Sequence, residues 1–362
     1  MEQTANAAAP PATQITAMRI CLRCSDFDAS LRFYTEVLGM RVAMIMPADA
    51  PTVAWLEGAG LNLVLEQGAQ TDGSPLRLVA QTAEDNALSG TTLRAPEGTE
   101  VVFQSALADL RIPAAVPALL ICRASDLENW SIGRAGMHYR ELIPGRWGGR
   151  YVGSQIRIEQ GGPVPDYVHY HHVRFQMIYC RRGWARLVYE DQGEAFLFSA
   201  GDCVLQPPQI RHRVLEASAG LEVVELGCPA VHPTFGDGSM ALPTSQLRPE
   251  RLFHQQRFVH HRAAAANWCV EAEGLCFRDC GIAAATGNLA DVRVWRSAGA
   301  AAVPLIHHAD LRFLYLLAGR AELVGVGTER AFLSVDDVLC VPPGAGVELV
   351  PDAGCEWLQV DL

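Results

Sequence analysis

The sequence predicts a mainly β protein in which two β-barrels follow a smaller α+β domain. Three observations support this fold class. The segment from His169 to His171 alternates like a strand, and a third histidine, His212, follows a Gly201-Asp202 turn. A weaker copy of this pattern lies nearer the C terminus, which indicates a duplicated domain. The N-terminal part of the chain instead combines strand and helix periodicity.

The chain begins with a segment that we expect to be disordered. Residues 1–16 are rich in alanine and proline and contain neither the basic nor the apolar region of a secretory signal. Residues 18–24 then alternate like a strand, and residues 26–38 have helical periodicity with Ser25 or Asp26 as the cap. Further strands are predicted at 41–46, 52–57 and 61–66.

The βαβββ order of these elements resembles the vicinal-oxygen-chelate (glyoxalase/dioxygenase) family. The resemblance covers residues 17–104 and rests on Asp26–Tyr34 and Val37–Met40. The metal positions of that family fall on Arg19 and Val102, and neither is a usual ligand type. Because of this departure, we expect a metal-free domain and, by elimination, a substrate-capping or dimer-forming role rather than catalysis.

Segments rich in proline and glycine divide the rest of the chain. We predict a linker with lead-in strands at 105–149 and a first barrel at 150–230. A connector follows at 231–267, and a second barrel occupies 268–362. Edge strands of such barrels commonly pair between copies, so a homo-oligomer is compatible with the sequence, which does not locate an interface.

The histidine segments predict a mononuclear metal site in the first barrel. His169 and His171 project from the same face of a strand, whereas His172 points away. His212 adds a third imidazole from a distant strand. Gln176 is a further candidate ligand, although simple alternation places it on the opposite face unless the chain bends before the next strand. Alternatively, the histidines are polar core residues, each of which would need a buried hydrogen-bond partner.

These segments resemble the two motifs of the cupin superfamily, which have the forms G-x5-HxH-x3-4-E-x6-G and G-x5-PxG-x2-H-x3-N. The first motif lies within residues 166–183 and the second within 201–212, in the usual order and with the usual gap. Gln176 stands where the family has an acid, and Gln209 stands where it has a glycine. The resemblance implies a jelly-roll β-barrel and a divalent ion bound by the histidines.

The second barrel retains the outline of these motifs but not their ligands. His307 aligns with His171, and Asp337 aligns with Asp202. The other ligand positions hold different residue types: Leu305, Arg312 and Val347. One imidazole beside an arginine does not hold a divalent ion, because the cation repels it and no chelate remains. The chain therefore resembles a bicupin whose second barrel is structural or a metal-free binding pocket.

Composition narrows the classes of partner. The net charge of −11 argues against a nucleic-acid binder, and no apolar run is long enough to span a membrane. The 11 cysteines are scattered and odd in number, which does not fit a disulfide framework. We therefore expect a reduced cytoplasmic protein whose partner is a small molecule.

The donor set indicates the charge of that molecule. Three neutral imidazoles and a neutral amide leave the charge of a divalent ion uncompensated, which favours an anionic substrate. Bicupins that resemble this chain include gentisate-type dioxygenases, so the resemblance implies an Fe(II)-dependent dioxygenase acting on a small aromatic or dicarbonyl-type acid. The candidates for binding the substrate carboxylate or lining the catalytic pocket are Arg174, Arg211, Arg213 and Tyr179.

Two other functions remain open at this stage. With zinc, nickel, manganese or copper, the same ligands could polarise a carbonyl in an isomerase, lyase or decarboxylase. The barrels could also hold a small molecule without turnover, as a binding bicupin.

Overall fold

The structure is a computed structural model of the protein. It describes residues 17–37, 40–58, 61–68, 77–82, 90–94, 100–105, 110–126, 130–299, 301–325 and 330–362. The chain divides into two compact units, of which the second consists of Pro47–Ala50 together with Arg111–Leu362. Among the described residues, no helix is long and apolar enough to cross a membrane.

The first unit is an α+β domain built on one sheet. Its described elements are β1 (Ala17–Cys24), α1 (Phe27–Arg32), a π-helix (Phe33–Val37), β2 (Arg41–Met46), β3 (Val53–Gly58), β4 (Leu61–Gln67), β5 (Arg77–Thr82), β6 (Thr92–Arg94) and β7 (Glu100–Ser105). The strand order is β2-β3-β4-β1-β5-β7-β6. Asp26 caps α1, because its Oδ1 accepts a hydrogen bond of 2.9 Å from the backbone nitrogen of Ala29. The predicted βαβββ order is confirmed, whereas the predicted tail, residues 1–16, lies outside the described part of the chain.

Arg19, on β1, is one of the two residues that stand where the vicinal-oxygen-chelate family has metal ligands. Its side chain is buried, and its guanidinium carbon lies 4.0 Å from the centre of the Trp55 ring. Glu57 is 3.9 Å away, and burial lowers the pKa of Arg19 despite this carboxylate. The position therefore holds a buried cation.

The second unit begins with lead-in elements and the first barrel. Its described strands and helices are β8 (Leu120–Cys122), a 3₁₀ helix (Ala124–Asp126), β9 (Ser131–Ile132), a 3₁₀ helix (Arg134–Gly136), β10 (His138–Glu141), α2 (Arg146–Gly149), β11 (Val152–Ile158), β12 (Gly162–Pro163), β13 (His169–His171), β14 (Phe175–Arg182), β15 (Trp184–Tyr189), β16 (Phe196–Ser199), β17 (Cys203–Leu205), β18 (His212–Ala217) and β19 (Leu221–Cys228). One sheet of the barrel runs β17-β14-β19-β11-β10-β9, and the other contains β16-β15-β18-β13. The alternating side chains of the two sheets face each other across the barrel interior.

The rest of the unit forms a connecting segment and the second barrel. Its described elements are β20 (Thr234–Gly236), β21 (Leu252–Phe253), β22 (Gln256–Arg257), β23 (Val259–His261), a 3₁₀ helix (Ala263–Ala265), β24 (Cys269–Ala272), β25 (Leu275–Asp279), α3 (Ile282–Ala285), β26 (Asp291–Ser297), β27 (Val303–Pro304), β28 (Arg312–Ala318), β29 (Arg320–Val324), β30 (Ala331–Ser334), β31 (Val338–Val341), β32 (Glu348–Pro351) and β33 (Glu356–Asp361). Its sheets run β24-β25-β26-β33-β28-β31-β8 and β27-β32-β29-β30. The mainly β fold with two barrels is as predicted.

The two barrels exchange their lead-in strands. β8 precedes the first barrel but pairs with β31 of the second, and β23 precedes the second barrel but pairs with β17 of the first. Equivalent aspartates hold both strands: Asp337 Oδ1 accepts from the backbone nitrogen of Ala124 at 2.8 Å, and Asp202 Oδ1 accepts from that of Ala263 at 2.9 Å. The predicted linker and connector are therefore not simple tethers, since each supplies a strand to a barrel.

The barrels also share one apolar core. Buried side chains from both barrels pack in a single cluster that includes Phe175, Met177, Tyr179, Leu226, Phe313, Tyr315, Val338 and Leu358. At its edge, Asp336 of the second barrel accepts hydrogen bonds from Arg181 Nε at 3.1 Å and from the Tyr315 hydroxyl at 2.8 Å. Removal of either barrel would therefore expose the apolar face of the other.

The interior of the second barrel is filled by apolar side chains. The cluster includes Leu305, Leu316, Leu323, Val347, Leu349 and Trp357. Leu305 and Val347 stand at two of the positions that correspond to ligands in the first barrel, and both are buried in this cluster. This barrel is therefore packed where the first barrel carries histidines.

The packing of the second barrel makes its contribution to stability measurable. Leu323 is fully buried, whereas the next residue, Val324, is 41% exposed. We expect Leu323→Ala to lower the free energy of unfolding by about 2–5 kcal/mol, through lost burial and the remaining cavity. Val324→Ala is the matched control and should change it by less than about 0.5 kcal/mol. Urea denaturation would measure both, and equal small effects would contradict the packed interior.

Candidate metal centre

The structure brings together the three histidines of the predicted metal site. His169 and His171 lie on β13, and His212 begins β18, where it is the cross-strand partner of His169. One ring nitrogen of each residue lies within 4.8 Å of those of the other two, and all three side chains are buried. Three imidazoles converging from adjacent strands form a set of nitrogen ligands for one divalent ion.

The other ring nitrogen of each histidine is held by the protein. His169 Nδ1 lies 2.8 Å from the carbonyl oxygen of Tyr167, and His212 Nδ1 lies 3.0 Å from that of Ile210. Because a carbonyl oxygen only accepts, both Nδ1 atoms donate, and the lone pair of each imidazole is on Nε2. His171 Nδ1 lies 2.9 Å from Thr234 Oγ1. Such contacts fix ring orientation in metal sites.

The Nε2 side of the histidine cluster is better explained by a bound metal ion than by a role of the histidines as polar core residues. His169 Nε2 is buried without a hydrogen-bond partner among the described residues. A buried polar atom without a hydrogen-bond partner destabilises the folded state unless another group, such as a metal ion, binds it. Burial lowers the pKa of His212 to about 4 and holds the pKa values of His169 and His171 well below 6.5, so all three rings are neutral donors. The donor set therefore suits a divalent ion.

These pKa shifts predict how the metal-free protein responds to acid. An unfolded histidine titrates near 6.5. Between pH 6.5 and about 4, the unfolded state therefore binds more protons than the folded state, and stability falls as the pH falls. For His212 alone, the expected loss between pH 7.5 and 5 is about 2 kcal/mol. Urea denaturation of the metal-free protein at both pH values would measure it, and His212→Gln should show a smaller loss. An equal loss in that variant would contradict the assignment.

Gln176, the predicted fourth ligand, lies in a buried chain of hydrogen bonds. The chain bends between β13 and β14, so that Gln176 faces the barrel interior. The Tyr189 hydroxyl donates to Gln206 Oε1 at 2.6 Å, and Gln206 Nε2 donates to Gln176 Oε1 at 3.0 Å. Gln176 Nε2 donates in turn to Glu225 Oε1 at 2.8 Å. Both ends of the Gln176 amide are thus bound by side chains, which assigns it a hydrogen-bonding role beside the histidines.

The histidines open into a cavity of about 100 Å³ inside the first barrel. Much of its lining is apolar and includes Ile156, Ile178, Leu187, Phe198, Val214 and Val223. The polar part contains the three histidines together with Arg134, Glu225 and His232. A volume of this size, well below the roughly 300 Å³ at which drug-sized sites begin, suits a small substrate.

The cavity also has polar lining residues that were not identified from the sequence, among them Glu225, His232 and Arg134. Glu225 lies on β19, where it is the cross-strand partner of Ser154 on β11, and burial raises its pKa. His232 lies 5.6 Å from His171 between ring centres, and its Nδ1 donates to the carbonyl oxygen of Pro229 at 2.9 Å. Arg134 comes from the lead-in segment. Of these, only Glu225 has a local signal, because it continues the inward-facing series of Leu221 and Val223 on β19.

The four predicted substrate-binding residues lie elsewhere. Arg174 is exposed, and Arg211 contacts Asp237 at 3.2 Å and stacks on Tyr170 outside the cavity. Arg213 neighbours the inward-facing His212 and so points away from the cavity, and its Nε is buried without a hydrogen-bond partner in the described part of the chain. Tyr179 also points away from the cavity. It packs in the core that the barrels share, because Gln176 and Ile178 take the inward positions of β14.

The turn before His212 keeps the geometry of its motif without the motif glycine. Gln209 has a φ of +63°, in the left-handed region that favours glycine. Its backbone nitrogen donates to the carbonyl oxygen of His171 at 3.0 Å. The turn thus connects the two histidine segments despite the substitution.

The corresponding region of the second barrel lacks such a group. His307 Nε2 lies 3.0 Å from the carbonyl oxygen of Val341, and Arg312 makes two hydrogen bonds to Asp361 at 2.7 and 2.8 Å. Within the described ranges, the cluster of His169, His171 and His212 is the only set of three potential metal ligands.

Comparisons with known proteins agree with this architecture. Residues 16–103 match the family described as the Glyoxalase/Bleomycin resistance protein/Dioxygenase superfamily. No curated protein sequence matches the chain significantly.

Similar solved structures include several of Bacillus subtilis oxalate decarboxylase. A point mutant has a TM-score of 0.50 at 13% identity and covers 69% of this chain and 78% of that chain. The structure at pH 4.6 has a TM-score of 0.50 at 14% identity, with coverages of 69% and 77%. A third, from work on the Mn(II) centres of that enzyme, has a TM-score of 0.50 at 15% identity, with coverages of 69% and 78%. At such identities the likeness concerns the fold alone, namely two consecutive cupin-type β-barrels.

Proposed function

We propose that the protein is a mononuclear metal enzyme whose first barrel acts on a small anionic substrate. The observation that carries this proposal is the convergence of His169, His171 and His212 on a cavity, where the Nε2 atom of His169 is buried and has no hydrogen-bond partner among the residues described. Their Nδ1 contacts hold the rings in place, and burial keeps the rings neutral. The ion itself would supply a Lewis-acid centre with positions open to substrate.

The charge of the site supports an anionic substrate. Among the described residues, no carboxylate belongs to the ligand cluster, so a divalent ion would keep its charge. The nearest acid along the hydrogen-bond chain, Glu225, has its pKa raised by burial, which favours its neutral form. An acid entering the cavity would compensate the metal.

Within this class, we propose an Fe(II)-dependent dioxygenase for a small aromatic or dicarbonyl-type acid. The support is the neutral three-histidine donor set and the resemblance of its motifs to those of dioxygenase bicupins. Held by His169, His171 and His212, an iron ion would supply a centre with positions for a substrate and for dioxygen. The apolar lining would exclude bulk water from them. The cavity volume of about 100 Å³ favours the smallest acids of this class.

A second candidate is a non-oxidative decarboxylase. The likeness of the fold to an oxalate decarboxylase, and the Mn(II) centres named for that enzyme, favour this alternative. Metal affinity does not separate the two, because a three-imidazole site binds several first-row ions. We place either enzyme in a reducing cytoplasm, in keeping with its 11 cysteines, which are scattered along the chain and odd in number.

The two candidates differ in the gas that they consume or release. Protein loaded anaerobically with Fe(II) or Mn(II) would be given a panel of small keto, hydroxy and dicarboxylic acids. Dioxygen uptake that depends on Fe(II) supports the dioxygenase, and carbon dioxide release without net dioxygen consumption supports the decarboxylase. His212→Ala should keep the circular dichroism spectrum and lose turnover. No turnover by the wild-type protein with any metal and acid would contradict both candidates and favour a binding bicupin.

A further inference from the structure

The cavity contains one permanently cationic side chain. Arg134 is the only arginine among its described lining residues, and its side chain is 9% exposed. It reaches the cavity from the short 3₁₀ helix Arg134–Gly136, outside both histidine motifs. A buried arginine requires partners for its donors, so its contacts indicate its role.

One edge of the Arg134 guanidinium is held by Asp166. Its Nη1 donates to Asp166 Oδ1, which also accepts from the backbone nitrogen of Tyr167 at 2.9 Å. The second oxygen of Asp166 accepts from the backbone nitrogen of Val214 at 2.9 Å. Asp166 is thus held by two backbone groups and positions the arginine rigidly.

The opposite edge of the guanidinium carries a donor that the described residues leave unsatisfied. Arg134 Nε is buried and has no hydrogen-bond partner among the described residues. Nε–H and Nη2–H point in parallel along the edge away from Nη1, and this fork matches the two oxygens of a carboxylate.

We propose that Arg134 is the residue that binds the substrate carboxylate, through the edge formed by Nε and Nη2, next to a metal held by the three histidines. This inference rests on the proposed function and narrows it to acids that reach the metal and Arg134 together. The arginines near the ligands in sequence fit the role less well, because Arg211 is bound to Asp237 and Tyr170 outside the cavity. Arg134 determines specificity for an anion through its charge and its planar shape.

Anion binding to cobalt-loaded protein tests this role without a known substrate. Co(II) would be added to the metal-free full-length protein, and its visible spectrum followed during titration with acetate and, separately, with imidazole. Arg134→Met should weaken acetate binding by about 10- to 100-fold, the effect of losing a charge-assisted hydrogen bond. Arg134→Lys should give an intermediate loss, because it keeps the charge but not the fork. Imidazole, a neutral metal ligand, should bind within about twofold of wild type in both variants.

Controls separate this role from an effect on folding. Arg186→Met is matched, since Arg186 is about half exposed, pairs with Glu216 on the surface and neighbours inward-facing residues of β15. It should leave acetate binding unchanged. If Arg134→Met does not fold because Asp166 is left as a buried charge, Arg134→Met/Asp166→Asn removes both charges and should show the same selective loss.

The outcomes distinguish this inference from the proposed function. Normal Co(II) binding with unchanged acetate affinity in both Arg134 variants would overturn the role of Arg134 and leave the metal site intact. So would a selective loss in Arg211→Met or Arg213→Met instead. Failure of the wild-type protein to bind Co(II) would overturn the proposed function, and the role of Arg134 with it.

Discussion

Replacing His171 by alanine is expected to remove the metal from the purified protein. Loss of one of three ligands leaves two imidazoles and an open position, and even residues that only orient ligands contribute about 10- to 100-fold to metal affinity. We therefore expect affinity to fall by more than about 100-fold. Elemental analysis should find close to one equivalent in the wild type and very little in the variant.

The neighbouring histidine provides the control for this measurement. His172 follows β13, outside the histidine cluster, and its backbone nitrogen donates to the carbonyl oxygen of Pro233. His172→Ala should retain the wild-type metal content. Equal metal content in the His171 and His172 variants would show that the ion binds elsewhere. A wild-type protein without metal, even after reconstitution, would leave the three histidines as structural residues.

Replacing Gln176 by glutamate is expected to destabilise the metal-free protein strongly at pH 7. The new carboxyl group would lie within hydrogen-bond distance of Glu225, whose pKa burial already raises. Two adjacent buried acids cannot both ionise, and Gln206 would donate to only one of them. We expect a loss of about 3 kcal/mol in the free energy of unfolding, which shrinks as the pH falls and one acid becomes protonated.

The reciprocal substitution provides the matched test of this pair. In Gln176→Glu/Glu225→Gln, the amide and the acid exchange strands, so one donor still faces one acceptor. The double variant should recover most of the stability in urea denaturation, with a coupling energy of about 2 kcal/mol or more. It also places the acid where the cupin motif has one, so it should bind a divalent ion more tightly than the wild type. Additive losses in the double variant would contradict a direct Gln176–Glu225 contact.

The alternation of side chains along a strand explains which site residues could be predicted from the sequence and which predictions failed to place a residue in the cavity. It placed His169 and His171 on one face and excluded His172, because these residues belong to one continuous segment. The same rule excludes Arg213, which is adjacent to His212, and Tyr179, which has the opposite parity to Gln176. Proximity in sequence to a ligand is therefore a poor guide to which side chains share a cavity.

Residues from distant segments were beyond this reasoning. Arg134 enters the cavity from a 3₁₀ helix thirty-five positions before His169, and no local periodicity marks it. Its place depends on the ion pair with Asp166, a contact between residues 32 positions apart in the sequence. His232 likewise has no local signal. It lies in the segment between β19 and β20 and lines the cavity from there. The barrels themselves were predictable because their motifs recur in order, whereas the paths between them carry no motif.

The exchanged strands β8 and β23 have a consequence for how such a chain could arise. A gene for one barrel would encode a lead-in strand with no partner in its own barrel and an apolar face open to water. Two separate copies could satisfy each other, but only at concentrations at which they meet. When both barrels belong to one chain, each has its partner at a high effective concentration that does not depend on the protein concentration. The two barrels are then also always present in equal numbers. In such a chain, the second barrel supplies a paired strand and part of the shared apolar core. It could therefore lose its metal-binding histidines while its β-sheets remained necessary for the stability of the first barrel.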